Sequence, residues 1–202
     1  VRCDDTGWIP PEADKGPDNA DPETRYEQRA ITLDPGPVPY TLRCGRTRSK
    51  DDERWHRWYE WGSGLGLRDP GGSNFYHGGF FDLIVNGEGL GKTVPKLQLH
   101  RGAGKAAVDV RWETAAAVVN LRLTVLGGDE ALYAQIDLSP KTEIHSLEMQ
   151  LLAFPGGFRG ERDRRFRTAA GDFGHDKVNS FDASTSWVLL YDRLMNPGSG
   201  AV

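Results

Sequence analysis

Between Ala106 and Leu138 the chain alternates apolar and polar side chains three times over, and this limits its fold more than any other feature. In AAVDVRW the apolar members are Ala106, Val108, Val110 and Trp112. In VVNLRLTVL they are Val119, Leu121, Leu123 and Val125, and in ALYAQIDL they are Leu132, Ala134, Ile136 and Leu138. A period of two puts each set on one face of a strand, whereas a helix needs a period of 3.6. Gly127-Gly128 and Ser139-Pro140 punctuate the runs, so they read as consecutive antiparallel strands. No long stretch has a helical period, and no alternation of strand with helix points to a parallel sheet. The expected fold is all-β: an antiparallel β-sandwich built as a meander with glycine-rich loops.

The flanking sequence extends this pattern. RAITL and VPYTLR read as the first strands, the second at a sheet edge because Pro39 has no N–H for a ladder. Residues 49–62 fit two descriptions. Ser49 with Asp52 resembles a capping box with Gly62 as a helix stop, while the density of Trp and Tyr favours a strand. GFFDLIV reads as a buried strand running into a tight Asn86-Gly87 turn. EIHSLEMQLLAF, RRFRTAA and SWVLLYD supply the remaining strands. Residues 1–28, acidic and rich in proline, are expected to form an extended arm, and residues 29–202 the sandwich domain. LMNPGSGAV ends on a turn signal, which suggests that the domain is part of a longer chain.

A length of 202 residues suits one domain with a substantial core. The formal charge of −4 argues against a basic nucleic-acid groove, and no apolar run reaches the roughly 18–20 residues that span a bilayer. The only cysteines, Cys3 and Cys44, lie in polar, turn-rich surroundings and are expected to form a disulfide, which would place the chain in an oxidising compartment. A start at Val1 fits a processed exported protein or a truncated one. The expected location is extracellular, periplasmic or at the cell surface. No cofactor or metal site is expected. Asp14, Asp18, Asn19, Asp21 and Glu23 offer oxygens of the kind calcium takes, but not at the spacing of a calcium loop.

Residues 54–84 hold the densest aromatic sequence, broken by glycines. Trp55, Trp58, Tyr59 and Trp61, with Tyr76, either pack a core or expose ring faces on which a sugar stacks. In the second case Glu60, Asn74 and His77 would bind hydroxyl groups. Glu60 and Asp82, each in apolar company, are the carboxylates most open to desolvation. Gly87 to Thr93 imitates a phosphate-binding loop, but Asn86 replaces its first glycine and Pro95 opposes the helix that must follow. It reads as a β-turn. The five histidines form no zinc-binding pattern, and His145 reads as exposed. Arg159 to Arg167 offers a basic hairpin for acidic polysaccharide, or one whose charges pair locally.

The run from Asp109 to Phe154, DVRWETAAAVVNLRLTVLGGDEALYAQIDLSPKTEIHSLEMQLLAF, resembles a stretch of the large supersandwich of the galactose-mutarotase-like superfamily. YEWGSGLGLRDPGGSN is similar to sequence in exported bacterial β-sandwich proteins. The superfamily includes mutarotases and domains of glycoside hydrolases and polysaccharide lyases; no catalytic motif of theirs is matched here. Two functions follow as expectations. The first is a non-catalytic β-sandwich that binds carbohydrate or neighbouring copies of itself. The alternative is a domain or fragment of a carbohydrate-active enzyme.

Overall fold

The computed structural model describes residues 1–11, 23–57, 65–68, 81–90, 93–151, 163–177, 180–182 and 184–194. In chain order, β1 is Arg2–Asp5, β2 Thr24–Asp34, β3 Tyr40–Ser49, β4 His56–Arg57 and β5 Leu65–Arg68. They form one sheet in the order β1-β2-β3-β4, with β5 also on β3. β6 (Phe81–Val85) is followed by β7 (Lys96–Gly102), β8 (Lys105–Glu113), β9 (Ala117–Leu126) and β10 (Tyr133–Pro140), and the last four make a second sheet, β10-β9-β8-β7. β11 (Leu147–Leu151) pairs with β6, and β12 (Arg164–Thr168) lies between β13 (Gly171–Gly174) and β14 (Leu189–Asp192). Every pairing among the described residues is antiparallel. The fold is an all-β sandwich.

One apolar cluster joins the layers. Ile31, Leu33 and Leu42 from the first sheet and Phe81, Leu83 and Val85 from β6 meet the buried faces of β8 and β9. The expected inward residues of β8 and β9 are all buried, and Trp112 is fully so, its ring 6.0 Å from that of Phe81. The Asn86-Gly87 turn is also as read. Both residues have positive φ, 52° and 82°, the combination of the tight hairpin turn whose twist suits flanking strands. Asn86 Oδ1 accepts from the backbone N–H of His145 and Ser146, and its Nδ2 donates to the Glu143 carbonyl, so this turn anchors the segment leading into β11.

Several expectations need correction. Pro39 precedes β3 rather than lying in it, and β3 is an interior strand between β2 on one side and β4 and β5 on the other. Residues 56–57 are strand, the favoured of the two descriptions of residues 49–62, and need no correction. Residues 1–28 are not all arm: Arg2–Asp5 pairs with β2, and Thr24 to Gln28 already belong to β2. β10 has the expected alternation, but its core-facing Ala134 and Ile136 are exposed. Among the described residues it is an edge strand, and the chain leaves it to pair β11 with β6.

The Cys3–Cys44 disulfide is also overturned: each side chain is a thiol. Cys3 pairs with Leu33 across β1 and β2, whereas Cys44 pairs with Arg29 across β2 and β3. The two are thus two strands and four residues apart, roughly 16 Å from the strand spacing and rise, where a disulfide needs Cα atoms within about 7 Å. The argument from the cysteines to an oxidising compartment falls with it. Native protein should therefore take up one thiol reagent at part-exposed Cys3 and a second, at buried Cys44, only on unfolding. Reductant should leave its melting temperature unchanged. Intact-mass measurement before and after denaturation checks the first point.

Ion pairs tie neighbouring strands together. Arg29 on β2 grips Asp5 on β1 through Nε and Nη2 at 2.9 and 2.6 Å, and its Nη1 donates to the Leu97 carbonyl of β7 at 3.3 Å. The Arg29 guanidinium holds the Asp5 carboxyl below the usual carboxylate range, and Arg122 does the same for Asp109. A carboxyl whose pKa is depressed by folding contributes stability that is complete above its unfolded value and is lost as pH falls through the folded one. The melting temperature is therefore expected to be level from about pH 5 to 8 and to fall below about pH 4. Asp5→Asn should lower the plateau and shrink the acid drop. A pH series of thermal melts reads both.

Candidate functional site

The β2–β3 hairpin changes character along its length. Paired residues of an antiparallel ladder share a face, so the core-facing row runs Leu33/Tyr40, Ile31/Leu42, Arg29/Cys44, Glu27/Arg46, Arg25/Arg48. Its first half enters the apolar core. Its second half carries charge out to the hairpin's open end.

There Glu27, 3% exposed, is held by two arginines. Arg46 reaches Glu27 Oε2 through Nε at 2.9 Å and Nη2 at 2.5 Å, and Arg25 reaches Oε1 at 2.6 Å. The Arg46 guanidinium is clamped between two indoles, 4.1 Å from the Trp8 ring centre and 4.0 Å from that of Trp55. Arg48 and Arg25 also approach Trp55, at 4.9 and 5.6 Å. A planar guanidinium can donate in its plane while its face lies on an aromatic ring, and Arg46 does both. Trp8 is fixed by the reciprocal backbone hydrogen bonds of Ile9 with Gln28, at 2.9 and 2.8 Å. Trp55 is placed by the short ladder of β4 on Arg46 and Thr47.

Beside this cluster lies a groove of about 590 Å³. Arg25, Arg48 and Lys50 line it with positive charge, and Glu23, Asp52 and Glu53 with negative charge. Lys50 faces Glu23 at 3.4 Å, and Asp52 binds Arg54 at 3.2 Å and His56 Nε2 at 2.7 Å. The Asp52 carboxyl is held far below the usual range, first by the Arg54 backbone N–H and then by His56. The groove therefore presents donors and acceptors in balance.

Of the site residues expected from the sequence, Trp55 lies in the arginine cluster beside this groove. Its role differs from a bare stacking platform, since guanidiniums lie against its ring. Trp58, Tyr59, Glu60, Trp61, Asn74, Tyr76 and His77 lie outside the described residues. Asp82 serves the fold: its Oδ1 accepts the backbone N–H of Leu83 at 2.9 Å and of Leu90 at 3.0 Å, which folds the segment after the Asn86-Gly87 turn back onto β6. His145 is exposed. In the arginine-rich segment Arg165 pairs with Asp172 at 2.6 Å, and Asp163 with Arg193 at 2.5 Å. Among the described residues no group of three His, Cys, Asp or Glu side chains is arranged to hold a metal ion. Of the calcium candidates Glu23 is described, exposed and opposite Lys50. No helix of the described residues is long and apolar enough to cross a membrane.

Arg25, Arg46, Arg48 and Trp8 were not singled out from the sequence. The signal was present in YTLRCGRTRS, where a period of two carries Leu42, Cys44, Arg46 and Arg48 along one face. No family model, curated protein or solved structure matches the chain. The likeness of residues 109–154 to a supersandwich remains one of strand rhythm.

Proposed function

We propose that this chain is a non-catalytic β-sandwich that binds carbohydrate in the groove at the open end of the β2–β3 hairpin. The observation that carries the reading is the pairing of three cationic and three carboxylate side chains along one groove, next to guanidiniums braced on Trp55. Sugar hydroxyls both donate and accept, so a lining with both capacities suits them better than a surface of one sign. The groove's arginine heads are pre-positioned, Arg25 by Glu27 and Trp55 and Arg48 by Trp55, which lowers the entropy cost of binding through long side chains. A balanced lining also favours neutral glycans over polyanions. The buried carboxylates nearest the apolar core, Glu27 and Asp82, are engaged with arginines and backbone amides, which favours binding over acid–base chemistry as the work of this domain.

Calorimetric titration with a panel of neutral and acidic oligosaccharides tests the proposal. A neutral glycan should bind with micromolar to millimolar affinity and little dependence on salt, since no surplus of charge drives it. Arg48→Ala should weaken it about tenfold or more, the loss of a charged hydrogen bond, with an unchanged melting temperature. No binding across the panel, or binding only to polyanions with a steep salt dependence, would overturn the reading.

A further inference from the structure

The sheet β10-β9-β8-β7 has two outer edges, and they differ. At β7 the carbonyl of Leu97 accepts from Arg29, and the strand carries Lys96, His100 and Arg101, charges of the kind that keep an edge from pairing. β10 has no such protection. Its eight residues, YAQIDLSP, pair only with β9 among the described residues, carry one charge and meet proline only at the last position. Its core-facing row is Ala134, Ile136 and Leu138, set opposite Leu123, Leu121 and Val119 of β9. The β9 members are buried, yet Ile136 is 36% exposed. On β11, the first strand after β10, Leu147 and Met149 pair with core residues Val85 and Leu83 but stand 56% and 53% exposed. Both edge strands thus carry core-facing apolar side chains that stand exposed: Ile136, Leu147 and Met149.

We propose that β10 pairs antiparallel with β10 of a second copy about a two-fold axis at Ile136, joining two four-stranded sheets into one of eight. This gives the self-association expected from the sequence a strand and a register, and it is independent of the carbohydrate reading. The register follows from three conditions. The axis must pass through a residue, or the apolar row of one strand would face the polar row of the other. An axis at Gln135 overlaps five strand residues, 133–137, whereas one at Ile136 overlaps seven, 133–139. An axis at Asp137 also overlaps seven, but sets two carboxylates opposite one another, which is unfavourable. With the axis at Ile136, Ile136 meets the partner's Ile136 and Ala134 meets the partner's Leu138. Gln135 then meets the partner's Asp137, an amide donor facing a carboxylate. Every cross-strand pair is apolar with apolar or polar with polar.

Sedimentation velocity from roughly 1 to 500 µM should show a concentration-dependent dimer, the range in which an interface of this kind titrates. Ile136→Glu places two carboxylates at the axis and should raise the dimer dissociation constant at least about 100-fold, with an unchanged far-UV spectrum because the position lies on an edge strand and is part-exposed. For the register, Ile136→Cys and Asp137→Cys are compared under mild oxidation in a Cys3→Ser background. Directly opposed residues lie about 4.5–5.5 Å apart, within disulfide reach, so Ile136→Cys should cross-link and Asp137→Cys should not. A monomer throughout, a dimer untouched by Ile136→Glu, or cross-linking of Asp137→Cys in place of Ile136→Cys would each overturn the proposal. A failed glycan titration alongside an intact dimer would count against the groove alone.

Discussion

Trp112→Ala should lower stability by about 3–5 kcal/mol, the range for deleting a fully buried aromatic side chain. Trp112 has no exposed surface and packs on Phe81, so it bridges β8 and the β6–β11 ribbon. Its removal leaves a cavity in the middle of the sandwich that stiff neighbouring strands collapse into poorly. For a domain of this size each kcal/mol moves the melting temperature by about 2–4 °C, so the expected drop is roughly 6–20 °C. Trp187→Ala serves as the control. That residue is 41% exposed, and its loss should change stability by less than about 0.5 kcal/mol. Equal losses from the two variants, in denaturant or heat, would contradict the placement of the core.

The second large effect is expected at Arg46. Truncation to alanine leaves the Glu27 carboxylate buried with Arg25 alone, and Arg25 is 62% exposed. Breaking a buried pair from one side costs about 3–5 kcal/mol; the surviving Arg25 contact places the expected loss near 3. Arg46→Lys should recover little, because an ammonium has neither the fork that grips Glu27 nor the plane that fits between Trp8 and Trp55. Glu27→Gln combined with Arg46→Met should be more stable than Arg46→Ala alone, since no unpaired charge remains. Chemical denaturation of these three variants, together with the Glu27→Gln and Arg46→Met single variants, completes the cycle. A loss below about 1 kcal/mol for Arg46→Ala would show that the cluster adds little to the fold.

The legible parts of the sequence were those where one physical rule acted alone. In β8 and β9 both neighbours are strands and one face meets the core, so alternation translated directly into burial. The Asn86-Gly87 turn was legible because only a few residues tolerate two successive positive φ angles. Other parts depended on the third dimension. β10 alternates as cleanly as β9 yet lies open, since alternation reports which face turns inward and not whether anything covers it. β1 and β7 were not read as strands: β1 is four residues without a clear apolar row, and KLQLHRG has only Leu97 and Leu99 to show. Pro39 suggested an edge, but a proline just before a strand leaves its ladder intact. The cysteines looked able to meet until the register of β2 separated them. At the site, the aromatic run after Trp55 is the conspicuous feature of the sequence, while the described side chains that organise the hairpin's end are arginines from β2 and β3. A row that passes from Leu42 to Arg48 on one face is visible as alternation, but a charged continuation of an apolar row reads as a strand leaving its core rather than as a site.

The proposed binding of carbohydrate in the groove is tested most directly by the indole N–H signals of uniformly nitrogen-15-labelled protein, with Trp55 assigned from the Trp55→Phe variant. On titration with the best neutral oligosaccharide of the panel, the Trp55 signal should shift progressively and saturate, while that of Trp112 in the sealed core stays in place. The shift should be lost in Arg48→Ala. Saturable binding that leaves the Trp55 signal unmoved, or that persists unchanged in Arg48→Ala, would place the ligand elsewhere and contradict the account.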